Sequence, residues 1–414
     1  MHALSDPSSN ATSHRPARAT PSTTPLRVAL IDPSLFSLPY DANLARGLGG
    51  LGHEVTLHGR PLRREDNDAQ GIALAPSFYR LAENPRAAVL PRALRLGLKG
   101  VEHVLSMAML RRRLARRPPD VIHFEWLPLP AADRRLLGAF RGLAPLVFTV
   151  HDTVPFNGAP SAAGQGDAQS DCYALFDRLI VHTEQGRARL RARGVPAGRI
   201  ARVPHGLLAA VPHDLPPDPM RGEITFLMFG EIKPYKGVDL LIEAFARLPP
   251  ALRDQGRLRV VGRARMDIAP LRALAEARGV AARFQVEPRF VPTAEIPALF
   301  GPGTIAAFPY REIEASGVLS YAIAQGRPVL ASRIGGFAED LGDGVHGLLV
   351  PPGDVDALAG AMARLLRERE FALRCAGNVA ALARAMPGWD EIARQTTAVY
   401  AEAIASWRDL RRAA

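Results

Sequence analysis

Lys233 and Lys236 stand three residues apart in Gly230-Glu231-Ile232-Lys233-Pro234-Tyr235-Lys236-Gly237, a segment bounded by glycines. A tight loop with two cations at its tip suits a diphosphate; on a loop that only faces solvent the same charges would be incidental. A second candidate is Pro309-Tyr310-Arg311-Glu312-Ile313-Glu314-Ala315-Ser316-Gly317-Val318. There Ser316 can cap a following helix and Gly317 admits a ligand close to the backbone. The free N–H groups of Ser316, Gly317 and Val318 would then point at an anion, helped by the helix dipole. Glu312 and Glu314 can accept hydrogen bonds from sugar hydroxyls, or stand as exposed loop acids. His151-Asp152-Thr153 and His205-Gly206 each follow a short apolar run, and Asp32 and Asp41 flank the first strand–helix junction.

Other patterns fail on context. Gly47, Gly49 and Gly52 match G-x-G-x-x-G, but they close a helix and precede a strand. A dinucleotide loop must instead follow a strand and open a helix. Asp354 and Asp356 could hold a divalent cation, yet Asp354 follows Pro-Pro-Gly and precedes an alanine-rich run, which reads as a helix N-cap. His123, His151, His182 and His205 lack the i, i+4 spacing of helical zinc ligands, so no metal is expected. Cys172 and Cys375 are the only cysteines, which excludes a disulfide framework and fits a reducing cytoplasm.

These residues sit beyond the carboxyl ends of short β-branched runs that alternate with helical patterns. Strands are expected at 27–31, 54–57, 121–124, 145–150, 179–181 and 200–203, with helices at 41–51, 131–140 and 184–193. Pro212, Pro216, Pro217 and Pro219 break the rhythm. It restarts with strands at 224–229, 258–261, 283–286, 304–308, 328–331 and 347–350, and helices at 239–248, 269–278, 293–300 and 316–325. The βαβ rhythm means α/β architecture: two Rossmann-like doubly wound domains, each a parallel sheet covered on both faces. The expected division is a disordered leader at 1–25, a first domain at 26–210, a linker at 211–222, a second domain at 223–386 and a C-terminal helix at 387–414. With 47% hydrophobic and 22% charged residues the composition is that of a soluble globular chain, and no apolar run is long enough to span a bilayer.

The net charge of +11 calls for an anionic partner. Nine Arg or Lys residues, among them Arg92, Arg95, Lys99, Arg111, Arg112 and Arg113, crowd residues 86–117 against one acid, Glu102. Interleaved leucines and methionines make this either a surface for anionic membrane or an ordinary amphipathic helix with a solvated arginine face. No nucleic-acid module or aromatic stacking platform accompanies the charge, so nucleic acid is not the expected partner.

The pattern resembles the GT-B fold retaining glycosyltransferases of family four. The likeness is carried by Gly230 through Gly237 with Val238-Asp239-Leu240-Leu241-Ile242-Glu243-Ala244-Phe245, by Glu314-Ala315-Ser316-Gly317-Val318, and by Gly326-Arg327-Pro328-Val329-Leu330-Ala331-Ser332. Gly344-Val345-His346-Gly347-Leu348-Leu349-Val350 with Pro351-Pro352-Gly353-Asp354 extends it, and His151-Asp152 and Val203-Pro204-His205-Gly206 look like first-domain landmarks. The resemblance implies two domains facing across a cleft, the second holding a nucleotide-sugar donor and the first a saccharide or lipid-linked saccharide acceptor. It also implies that the segment 389–407 crosses back onto the first domain. In that reading Lys236, assisted by Lys233, and the amides of Ser316, Gly317 and Val318 bind the diphosphate beside Gly230. His151 lies near the transferred sugar, Glu312 or Glu314 meets its hydroxyls, and Asp41 and His205 lie on the acceptor side. Two departures stand out: Glu231 occupies a position where the family often has Arg, and the second of its paired glutamates aligns with Tyr321 and the first with Ile313.

The implied reaction is transfer of a hexose with retention, in polysaccharide or glycoconjugate biosynthesis, with no cofactor or metal and by front-face attack. The enzyme would be cytoplasmic, with a peripheral place at the inner face of the membrane as the alternative. A non-catalytic sugar-nucleotide-binding subunit and an NAD-dependent oxidoreductase remain the alternatives.

Overall fold

The computed structural model describes residues 24–153, 165–212 and 218–413. Most of the expected leader, and residues 213–217 of the expected linker, lie outside the described residues. The first domain contains β1 (Arg27–Ile31), α1 (Leu38–Gly50), β2 (Glu54–Gly59), β3 (Ala73–Pro76), α2 (Arg92–Arg116), β4 (Val121–Phe124), α3 (Pro130–Arg141), β5 (Leu146–Thr149), α4 (Gln165–Cys172), β6 (Arg178–Val181), α5 (Glu184–Ala192) and β7 (Ile200–Arg202). The second contains β8 (Ile224–Phe229), α6 (Val238–Ala246), α7 (Pro250–Arg253), β9 (Gly256–Val261), α8 (Ala269–Ala277), β10 (Phe284–Glu287), α9 (Ile296–Leu299) and β11 (Thr304–Phe308). It continues through α10 (Gly317–Ala324), β12 (Val329–Ser332), α11 (Gly335–Asp340), β13 (Gly347–Val350), α12 (Val355–Arg367), α13 (Arg369–Ala385) and α14 (Trp389–Ala413).

Every strand pair is parallel, in the orders β3-β2-β1-β4-β5-β6-β7 and β10-β9-β8-β11-β12-β13. Helices cover both faces, so central strands such as β4 and β11 are buried at every residue. In each sheet the order reverses between two central strands, β1 and β4 in the first, β8 and β11 in the second. The crevice beyond their carboxyl ends is where an open α/β sheet binds ligand. Here the two crevices face each other.

Helix α14 closes the structure by running over the first domain. The Trp389 indole donates to the Leu207 carbonyl at 2.8 Å, and the Trp407 indole to the Arg141 carbonyl at 2.9 Å. Gly47 makes the crossing possible: a Cβ there would lie 2.7 Å from the Trp389 carbonyl oxygen.

Strand β3 and the short helices α4, α7 and α11 were not expected. Strand β3 has the sequence Ala-Leu-Ala-Pro and pairs on one side only. The helix expected at 293–300 breaks into a 3₁₀ turn, Thr293–Glu295, and α9. Asp354 caps α12 by accepting from the Ala357 amide at 2.9 Å, and Asp356 pairs with Arg247.

Candidate functional site

The cleft between the two crevices has a volume of about 730 Å³. On the second-domain side β8 ends at Gly230, whose φ of 103° lies in the left-handed region. A Cβ there would stand 2.9 Å from the Val318 side chain and 3.0 Å from the Lys236 ammonium, so only glycine lets the loop and the start of α10 close on each other. Lys236 is 5% exposed, and its Nζ lies 5.2 Å over the Tyr310 ring. Among the described residues no carboxylate forms an ion pair with it. Burial and the neighbouring Lys233 lower its pKa to about 7.

Lys233 is engaged differently, in a 3.0 Å ion pair with Glu231, which also takes Arg265 at 2.6 Å. Glu231 therefore gathers two cations at a position where the family often has one. Arg263 and Arg265 follow β9 and line the cleft. They were missed in the sequence although the strand-end rule, applied to β9, points at them.

Ser316 caps α10 by accepting from the Leu319 amide, leaving Gly317 and Val318 at the mouth of the helix. Tyr321 lines the same wall, edge-on to Phe229 at 6.0 Å. His205, expected on the acceptor side, packs against Tyr40 and His182 of the first domain and also approaches this helix: a Cβ on Gly317 would lie 3.8 Å from its Nε2.

The two glutamates are placed differently from expectation. Glu312 is exposed. Glu314 is 3% exposed, and its Oε2 accepts from the Thr153 amide at 3.0 Å, the Thr153 hydroxyl, and Arg189 at 3.1 Å. That oxygen joins the two domains rather than facing the cleft, because Thr153 and α5 reach it from the opposite wall.

On the first-domain side the loops after β1, β4 and β5 build a buried polar cluster. Asp32 accepts from the amides of Ser34 and Ser37, both at 3.1 Å. Asp41, expected on the acceptor side, is wholly buried beneath the cleft and accepts from the Ser37 hydroxyl at 3.0 Å. Glu125, not singled out from the sequence, is wholly buried and lies 2.9 Å from His151 Nε2. Trp126 stacks on the His151 ring at 5.1 Å, and its indole donates to the Ser37 hydroxyl at 2.8 Å. Burial raises Asp32 to about 6, Glu125 to about 7 and Asp41 well above the usual range, while it lowers His151 and His205 to about 4. Asp152 lines the cleft, its Oδ1 has no partner among the described residues, and burial raises it to about 8. Asp41, Glu125 and His151 bring one possible metal-ligating atom each within 4.8 Å of one another. The Glu125 and His151 members already stand at hydrogen-bond distance, so their geometry is that of a shared proton.

Of the basic residues expected at a membrane, Lys99 faces the cleft instead, 4.4 Å over the Tyr79 ring and 3.8 Å from Glu83. Arg95, Arg111, Arg112 and Arg113 are exposed on α2; the Arg92 side chain lies outside the described residues. The inner face of α2 is tied down, with His103 bonded to Tyr79 at 2.8 Å and to Asp133 at 2.6 Å. Its outer face leaves Leu94, Leu96, Val101, Leu105 and Met109 at 57–62% exposure.

Residues 218–381 match the profile of glycosyl transferases group 1, and residues 41–207 that of glycosyltransferase family 4. A D-inositol 3-phosphate glycosyltransferase of Acidothermus cellulolyticus is 28% identical over 93% of this chain and 92% of its own. One from Mycobacterium avium is 30% identical over 74% of this chain and 76% of its own. In fold the chain is similar to Anabaena HepE, solved with UDP and glucose, at a TM-score of 0.70 and 16% identity over 91% of this chain and 99% of that one. The two facing domains are thus those of a GT-B fold.

Proposed function

This chain belongs to the group 1, family four glycosyltransferases and transfers a sugar from a nucleotide-sugar donor to a saccharide-type acceptor, and we propose that the sugar is a hexose moved with retention of configuration. The observation that carries the donor assignment is Lys236, a buried ammonium without a carboxylate partner among the described residues, beside Gly230 and the open end of α10. A leaving diphosphate fits that gap. As the bond from anomeric carbon to phosphate oxygen breaks, negative charge builds on the diphosphate. Lys236 and the amides of Ser316, Gly317 and Val318 stabilise it, with Lys233 assisting. The acceptor oxygen bonds the anomeric carbon from the same face, and the departing phosphate oxygen takes the acceptor's proton. A trapped covalent glycosyl-enzyme would overturn this path.

We assign no metal to the step, because the lysines and helix amides supply the charge. Activity unchanged by EDTA is the expected result, and loss restored by Mg²⁺ would refute it. The acceptor we favour is a lipid-linked saccharide at an anionic membrane surface in polysaccharide or glycoconjugate assembly. The apolar stripe and arginines of α2 support that reading, and no described helix is long and apolar enough to cross a membrane. Salt-sensitive flotation with anionic vesicles is expected; no binding at low salt would remove the membrane from the reading, and D-inositol 3-phosphate serves as the soluble acceptor to compare.

The deciding experiment is thermal stabilisation by UDP, GDP, ADP and NAD. A shift with one nucleoside diphosphate, lost in Lys236→Ala together with about a hundredfold of kcat/KM, is expected. A shift with NAD alone would favour an oxidoreductase. Binding without transfer or hydrolysis would favour a non-catalytic subunit.

A further inference from the structure

His151, His182 and Glu125 form a chain of three contacts that ends on a backbone carbonyl. His182 Nδ1 lies 2.9 Å from the Val203 oxygen, His182 Nε2 lies 3.2 Å from His151 Nδ1, and His151 Nε2 lies 2.9 Å from Glu125 Oε2. Each contact needs one proton. Two neutral imidazoles bring two, so an ionised Glu125 beside neutral histidines would leave one contact with lone pair facing lone pair. The Val203 carbonyl can only accept, which makes His182 Nδ1 the donor there. His182 Nε2 then accepts from His151 Nδ1, and His151 Nε2 is left as an acceptor facing the carboxyl.

We propose that Glu125 is held as the neutral carboxylic acid, donates its Oε2 proton to His151 Nε2, and so acts as a positioning residue for the His151 ring at the floor of the cleft. This rests on the transfer reaction assigned above. Both ring nitrogens of His151 are then used inside the protein, and the ring meets the bound sugar with its edge rather than with a free nitrogen. The alternative is an imidazolium–carboxylate pair, which would set an anion on the wholly buried Glu125. It would also leave Glu125 Oε1, which has no hydrogen-bond partner among the described residues and only His123 Nε2 at 3.5 Å, as an anionic oxygen. The surroundings disfavour that anion. Asp32 and Asp41 approach from β1 and α1, and Tyr40 of α1 meets His151 edge-on at 5.1 Å. His123 of β4, 3.5 Å from Glu125 and bonded to Tyr400 of α14 at 2.7 Å, and the Thr149 hydroxyl favour the anion, but burial outweighs them; His205 packs against His182 at 5.1 Å. Burial raises Glu125 to about 7 and lowers His151 to about 4, the same direction as the proton count.

The test is the pH dependence of kcat at saturating donor, where bound diphosphate keeps Lys236 charged and leaves the chain exposed as the titrating group. In the unaltered enzyme kcat is expected to fall as pH rises through neutrality. Glu125→Gln supplies the third hydrogen as an amide N–H that does not titrate. It should stay within about threefold of the unaltered enzyme at low pH and lose this alkaline limb, whereas Glu125→Ala frees the ring and should lose about a hundredfold of kcat at every pH. Glu125→Gln as impaired as Glu125→Ala, or keeping the alkaline limb, would overturn the proposal. Infrared difference spectra need no turnover, so they separate this inference from the assigned reaction. Because Asp32, Asp41 and Asp152 are raised as well, the band is read as the difference between the unaltered enzyme and Glu125→Gln. A protonated-carboxyl absorption lost in the variant and disappearing as pH rises is expected, and no such difference at low pH overturns the proposal.

Discussion

At the scale of single residues, a buried ammonium without a carboxylate beside it destabilises the ligand-free protein and is kept for what it binds. Lys236 has a folded pKa of about 7 against about 10.5 in an unfolded chain. Between those values the unfolded state binds more protons, so this residue's unfavourable contribution is full below about pH 7 and fades as pH rises toward the unfolded value. Lys236→Met should therefore stabilise the ligand-free enzyme at pH 6 by about 0.5–2 kcal/mol, while removing its stabilisation by nucleoside diphosphate. Denaturant melts with and without ligand check both arms. The same titration governs binding: diphosphate affinity should stay level below about pH 7 and weaken above it, as proton uptake becomes part of binding. Calorimetric titration from pH 6 to 9 measures this, and a level dissociation constant would mean that Lys236 does not meet the phosphates. The position of Lys236 was legible because a glycine-bounded loop after an apolar run is a local pattern. Glu125 was not, because a lone acid between two aromatic residues carries no signal until β4 and β5 set it beside His151.

At the scale of elements, Gly47 shows how one residue can serve a helix pair. Of the three glycines that mimic a dinucleotide loop, Gly47 is explained by packing, since α14 crosses α1 where it admits the Trp389 carbonyl, and Gly52 by its φ of 89° in the turn after α1, while Gly49 has open space beside it. Gly47→Ala should lower stability by about 1–3 kcal/mol and leave nucleotide affinity close to that of the unaltered protein. Chemical denaturation with ligand binding on the same sample checks it. The apolar central strands were legible by their continuous burial pattern. Helix α11 was not, since it opens with Gly335-Gly336, poor helix formers. Those glycines are there because a Cβ on Gly335 would lie 2.2 Å from the Ile313 carbonyl oxygen, a contact made by the loop after β11.

At the scale of the molecule, the two domains are latched on both sides of the cleft. Glu339 of α11 accepts from the amides of Glu184 and Gln185 at 2.7 and 2.8 Å, capping α5 from the other domain. Thr293 donates to Asp68 at 2.8 Å, and Glu314 ties Thr153 and Arg189. Glu339→Ala removes one latch and should weaken the closed arrangement by about 1 kcal/mol. Small-angle scattering of the ligand-free protein should then report a larger radius of gyration that returns to the original value with saturating nucleotide. An unchanged radius would mean that the remaining latches hold the cleft by themselves.

Patterns within reach of one strand and its loop were determined by the sequence alone: the alternation of strand and helix, the family, the glycine-bounded loop after β8 and the capped start of α10. Each depends on neighbours a few residues apart, where hydrophobic period and backbone freedom act directly. What the carboxylates do was decided only by tertiary structure. Glu314 became a clasp because Thr153 and Arg189 come to it from 161 and 125 residues away. Asp41 and Glu125 became buried acids because strands β1, β4 and β5 converge beneath the cleft, and a carboxyl's charge is set by the solvent and partners that folding removes or supplies.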